Sequence, residues 1–142
     1  MSRIQEIVRD RDLFWAAEND TVADVARRMA ELSVGAILVL SGGQLRGVFS
    51  ERDLMKRVVL ERLDPERTPV KQVMSTDVVT IDELASLEEA MQLMQSHGCR
   101  HLPVTRASEV IGFLSMRDLM KIELAHKTEE LFHMHAYIHG SM

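Results

Sequence analysis

The chain has 142 residues, 46% of them hydrophobic and 27% charged, with a formal net charge of −5 and a pI near 5.7. This length suffices for one compact core, or for two small units sharing one, and the acidic balance gives no basic face for nucleic acid or acidic lipid. The single cysteine, Cys99, excludes an internal disulfide framework and reads as a half-buried thiol; no apolar run approaches the roughly 18–20 residues of a membrane span, so a soluble, cytoplasmic protein is expected.

In chain order, Ile4, Ile7 and Val8 mark one side of a short helix over 3–9, which Asp10-Arg11-Asp12 breaks. Leu13 to Ala16 is an apolar run read as a strand, and Glu18 to Thr21 a turn and cap. Val22, Val25, Ala26, Met29 and Leu32 recur at helical spacing, which predicts a helix over 22–32 with one buried face. Ala36 to Leu40 is a continuous apolar strand, Ser41 to Gln44 a hairpin turn and Leu45 to Phe49 the return strand. Ser50 then caps a helix over 51–60.

Residues 61–69 form a charged linker with two prolines, Pro65 and Pro69, expected to be exposed and non-helical. A second unit repeats the plan: a short helix over 70–74, a strand over 78–81, a helix over 86–97, strands over 100–105 and 110–114, and a helix over 116–125. Leu87, Met91 and Met94 mark the apolar face of its first long helix. The division is therefore 5–60, a linker at 61–69, 70–125, and a tail at 126–142. The tail holds His126, His133, His135 and His139 and continues a helical pattern through Leu131, Met134 and Ile138 to a stop at Gly140, as a docking or dimer-contact helix would.

The two units share one phrase. Gly47-Val48-Phe49-Ser50-Glu51-Arg52-Asp53-Leu54-Met55-Lys56 returns as Gly112-Phe113-Leu114-Ser115-Met116-Arg117-Asp118-Leu119-Met120-Lys121, 65 positions on (53 against 118). The register holds without a gap from Thr21/Ser86 to Lys56/Lys121. A fixed period means one structural unit built twice. Each phrase reads as a strand end, a Ser N-cap and an acid three residues later, which is a capping box. A Ser-capped helix start also favours an anionic group; Ser can donate to it, Arg52 or Arg117 can neutralise phosphate, and Asp53 or Asp118 can accept from ribose hydroxyls. Capping alone and capping combined with binding both fit the pattern.

Two units of this size, each ending in Gly-apolar-apolar-Ser-x-x-Asp, resemble a tandem pair of cystathionine-β-synthase (CBS) domains, a Bateman module. Arg100-His101-Leu102-Pro103-Val104 and Val79-Thr80-Ile81 are similar to further phrases of that family. The resemblance covers roughly residues 5–125. It implies an α/β (α+β) fold: two β-α-β-β-α repeats, each a small sheet with helices on one side, packed through their sheets with pseudo-twofold symmetry. It also implies that Ser50, Asp53, Ser115 and Asp118 contact phosphate or ribose, and that Arg100 and His101 meet the phosphate in the cleft between repeats. Either of the latter pair also reads as a plain structural residue, a solvated Arg and a strand-edge His.

The first repeat departs from the pattern. Gly35 and Ala36 stand where the second has Arg100 and His101, so the two half-sites should be unequal, and Gly35 allows close backbone approach. Trp15 stands where the second repeat has Thr80, which leaves three readings: a core residue, a stacking platform for adenine, or a plug in the first cleft. Leu13, Phe14, Val79 and Ile81 are the candidates for an apolar base pocket.

The sequence contains no nucleophile beside a base, no P-loop and no metal cluster, so an enzyme is not expected. His135 and His139 share a helix face, yet no acid or thiolate at suitable spacing completes a zinc site. Met29, Met55, Met91, Met94 and Met120 fall at helical core spacing and fit core or dimer-seam filling. The expectation is a regulatory sensor of an adenine nucleotide, AMP first, then ADP, ATP, NAD or S-adenosylmethionine. It would act as a homodimer on a separate effector protein. The competing expectation is a dimerisation scaffold that binds no ligand.

Overall fold

The computed structural model describes residues 3–9 and 11–140, with side chains through residue 135. The first repeat comprises β1 (Trp15–Ala17), α2 (Val22–Leu32), β2 (Ala36–Ser41), β3 (Gln44–Ser50) and α3 (Glu51–Asp53), preceded by α1 (Ile4–Val8). The second comprises β4 (Ile81–Asp82), α4 (Leu87–His97), β5 (His101–Arg106), β6 (Glu109–Ser115) and α5 (Met116–Gly140). Each repeat forms a three-stranded sheet with its first strand parallel to the middle one and the third antiparallel to it. This is the α+β architecture that the resemblance implies.

Local chemistry accounts for the element ends. The Thr21 and Ser86 hydroxyls accept from the Asp24 and Glu89 amides at 3.2 and 3.1 Å, capping α2 and α4. Ser33 and Gly98 close the same helices in the left-handed region, at φ 57° and 64°. The first hairpin turns through Gly42 and Gly43, both at positive φ as a tight two-residue turn demands; the second uses Ala107 and Ser108 in the same region. Both hairpins carry a bulge one period apart, at Val39/Leu40 and Val104/Thr105.

The two repeats exchange their leading segments. Ile4 and Val8 of α1 are buried with Leu102, Leu114 and Leu119 in the core of the second repeat. Val70, Val73 and Met74 are buried with Phe49, Ile37 and Val58 in the core of the first. Backbone bonds hold both insertions, Gln5 N–H to Glu83 O at 2.9 Å and Val70 N–H to Asp20 O at 2.8 Å. A third cluster, Leu38, Leu40 and Val110 with Phe113 and Leu13 against it, joins the two sheets. The burial is therefore shared, and neither repeat's core is complete without the other's leading segment.

Several sequence expectations shift. The run 13–16 forms its strand at Trp15–Ala17, and the run 78–81 only at Ile81–Asp82, because parallel pairing to β2 and β5 begins there. Residues 70–74 make a 3₁₀ turn, Val70–Gln72, instead of a helix. The helix expected over 51–60 begins as α3 and continues in π-helical turns over Leu54–Val59, with Leu60 N–H donating to Met55 O at 3.0 Å. The linker is exposed over 61–67, but Thr68 is buried, and Pro65 and Thr68 carbonyls accept from the first amides of α2. Helix α5 passes residue 125 without a break, so the tail extends the last helix of the second repeat. Met29 and Met94 are core residues, whereas Met55 and Met120 are exposed.

Candidate functional site

Strand register assembles the site. Ala36 pairs with Ser50 across β2 and β3, and His101 with Ser115 across β5 and β6. Each strand start thus stands beside the helix start that follows the return strand. The joint is closed by Glu51 N–H to Gly35 O (2.9 Å) in one repeat and Met116 N–H to Arg100 O (2.7 Å) in the other. Both serines cap as expected: Asp53 N–H donates to Ser50 Oγ at 3.2 Å and Asp118 N–H to Ser115 Oγ at 3.1 Å. Each aspartate returns the bond by accepting from its serine amide, at 3.0 and 2.9 Å.

These ends face one open cleft of about 1610 Å³. Its size exceeds the roughly 300–1,000 Å³ of a single small-molecule pocket because it runs across both half-sites. Gly35, Ala36, Ser50, Arg52, Asp53, Val79, Arg100, His101, Ser115, Arg117 and Asp118 line it. Thr80 is exposed away from it, and Ile81 is buried in the second repeat's core. Trp15 is not a core residue: it is 48% exposed and outside the cleft lining, with its carbonyl accepting from Arg28 Nη1 at 2.7 Å. Its neighbour Phe14 lines the cleft instead. A run of four apolar residues has no alternation from which to read the strand face, so the parity of Trp15 was illegible.

The half-sites differ as Gly35 and Ala36 imply, and more strongly. Both Asp53 oxygens are engaged by the protein: Oδ2 accepts from the Ser50 amide and hydroxyl, and Oδ1 from Ser75 Oγ at 3.0 Å. Asp53 is only 7% exposed. Asp118 Oδ2 accepts from the Ser115 amide and from Arg11 Nη1, at 2.9 Å each, and Oδ1 has no hydrogen-bond partner among the described residues. In the first repeat, moreover, the Glu51 carboxylate covers Gly35: a methyl group there would lie 3.5 Å from Glu51 Cδ. Met116 holds the matching position in the second repeat. The first half-site therefore presents a carboxylate where the second presents Arg100.

Electrostatics follow the same division. Burial disfavours the charged form of Asp118, but the bonds from Arg11 and Ser115 outweigh it and hold the carboxyl below its ordinary value. His101 is stacked on Phe113, with ring centroids 5.2 Å apart. Burial pushes its pKa down; Asp118 and Glu51 oppose that shift and Arg100 and Arg117 reinforce it. Burial raises the Cys99 thiol, which is half-buried in the cleft wall. The sequence reading missed Arg11 and Glu51, because neither belongs to the shared phrase as a matched pair: their counterparts are Thr76 and Met116. Among the described residues no group of three or more His, Cys, Asp or Glu is placed to hold a metal ion, and the His139 side chain lies outside them.

A family model for the CBS domain matches twice, over residues 4–60 and 70–125. The chain belongs to the CBS domain family, as a tandem pair. It is 34% identical over 110 residues to the CBS domain-containing protein YhcV of Bacillus subtilis, covering 78% of each. It is 30% identical over 136 residues to the mitochondrial CBS domain-containing protein CBSX3 of Arabidopsis thaliana, covering 92% of this chain and 66% of that one. A CBS-domain protein from Burkholderia ambifaria, described as a putative signal-transduction protein, superposes with a TM-score of 0.82 at 32% identity, over 87% of this chain and 95% of the other. Tandem CBS pairs are in general regulatory, nucleotide-sensing and non-catalytic modules. No helix among the described residues is long and apolar enough to cross a membrane.

Proposed function

We propose that this chain is a regulatory module that binds one adenine nucleotide in the second repeat's half of the cleft and reports its presence to a separate protein. The observation that carries this reading is that Arg100, Arg117 and His101 line the same cleft as an aspartate, Asp118, that keeps one oxygen free of hydrogen bonds among the described residues. The arginines match a phosphate, the carboxylate oxygens match a ribose diol, and Phe14 and Val79 supply apolar surface for a base. The first half-site, with Glu51 over Gly35 and Asp53 saturated, disfavours a second phosphate. AMP is the first candidate, then ADP, ATP, NAD and S-adenosylmethionine. The module acts by binding, through unequal contacts to the ligand in two states. Two copies pair through helix faces that expose Met55, Val59 and Leu60 in one repeat and Met120 and Leu124 in the other.

One observation favours a scaffold without ligand: Arg11 already neutralises Asp118. Calorimetric titration with AMP, ATP, NAD and S-adenosylmethionine separates the two. Micromolar binding of an adenosyl compound, weakened about tenfold or more in Arg100→Ala, supports the sensor. Absence of binding at millimolar concentration of all four leaves the scaffold.

A further inference from the structure

We propose that Arg11 is an exchangeable latch, whose guanidinium pairs with Asp118 and passes to the phosphate of the ligand once a ribose takes the carboxylate. The inference rests on the adenylate reading above. Arg11 Nη1 lies 2.9 Å from Asp118 Oδ2, the oxygen that also accepts from the Ser115 amide. A ribose cis-diol donates two O–H bonds, and a carboxylate receives them best with both oxygens. Oδ2 is already shared between two donors, so the diol and the guanidinium compete for it.

The competitor is placed to yield and to be reused. The Arg11 side chain is 46% exposed, so water compensates most of the loss of its pair with Asp118. Arg11 lines the same cleft as Arg100 and Arg117, and its planar fork suits phosphate oxygens as well as carboxylate oxygens. The exchange swaps one anionic partner for another and leaves the guanidinium paired throughout. It is confined to the second half-site, since Thr76 matches Arg11 in the other repeat and carries no charge.

Arg11 also sits where a small displacement has reach. It lies between α1, buried in the second repeat, and β1 of the first, with Leu13 packed at the seam between the sheets. Moving Arg11 from carboxylate to phosphate therefore shifts a segment that joins the two repeats, which gives the ligand a lever on their relative packing.

The test compares AMP with adenosine, which has the same base and ribose but no phosphate, on the wild-type chain and on Arg11→Gln, by calorimetry. For Arg11→Gln the latch predicts adenosine binding tightened about threefold, because its competitor is gone. It predicts AMP binding weakened about tenfold, because a charged phosphate contact is lost. Arg11→Lys should recover part of the AMP affinity. If Arg11 is a fixed counter-ion, both ligands shift in the same direction by similar factors, and the latch is overturned while the sensor reading stands. If the wild-type chain binds neither ligand, the adenylate reading falls and the latch with it.

Discussion

Gly112 lies against Val8: a methyl group on the glycine would stand 2.7 Å from Val8 Cβ. One period earlier, a methyl group on Gly47 would stand 2.6 Å from the Ser75 carbonyl oxygen and 2.8 Å from Met74 Sδ. The glycine that opens each shared phrase is thus the surface on which the other repeat's leading segment seats. Gly47→Ala and Gly112→Ala should each destabilise the fold by about 1–3 kcal/mol through overpacking. Gly47→Ala should cost more, since its nearest neighbour is backbone. Urea denaturation measures both; substitutions without effect would contradict the close packing.

Acid should weaken the fold in two stages. Burial holds His101 below its ordinary 6.5, so the unfolded chain takes up that proton at higher pH than the folded one. Stability is then full above about 6.5 and falls as pH drops below it. Asp118 is held below its ordinary 3.8, so its contribution is present above that value and is lost as pH falls through the lower folded value. The urea midpoint followed from pH 8 to 4 should decline from about 6.5 downward, and His101→Gln should flatten the upper part of the decline. An unchanged slope in that variant would place the titration elsewhere.

Trp15 should serve as a silent control. Its indole is exposed and outside the cleft lining, so a neutral quencher such as acrylamide should reach it freely. Saturating AMP should leave its emission nearly unchanged. A large change on AMP binding would contradict the placement of Trp15 or show that the strand it begins moves with the ligand.

Removal of residues 126–142 should leave the unfolding midpoint nearly unchanged. Every described side chain from His126 to His135 is exposed, Leu131, Phe132 and Met134 among them. Loss of exposed surface of this kind should change stability by no more than about 0.5 kcal/mol. A marked loss would contradict the expectation that this end of α5 adds little to the fold.

The fold was legible where the chemistry is local. Thr21, Ser86, Ser50 and Ser115 cap helices and Gly98 closes one, each within a few residues of its own position and as its type favours. The unequal half-sites were legible at Gly35 and Ala36, because a missing side chain is visible in sequence. The exchange of α1 for the 70–74 segment was not, since Ile4 and Val8 have the same helical spacing in whichever core they lie. Arg11 meeting Asp118 is likewise a contact across 107 positions (11 against 118), with no local signal. Glu51 carries no signal of its own in the sequence, and its role in covering Gly35 depends on the register of β2 against β3.

The central claim is that the two aspartates of the repeated phrase have parted in role: Asp53 holds the fold and Asp118 receives the ligand. Its most direct test is AMP titration of Asp53→Ala and Asp118→Ala beside the wild-type chain, with the unfolding midpoint of each. The account predicts one AMP per chain, nearly unchanged affinity in Asp53→Ala despite a stability loss of about 1–3 kcal/mol, and AMP affinity reduced by about a hundredfold or more in Asp118→Ala. Two equal sites per chain, or binding lost in Asp53→Ala and kept in Asp118→Ala, would contradict it.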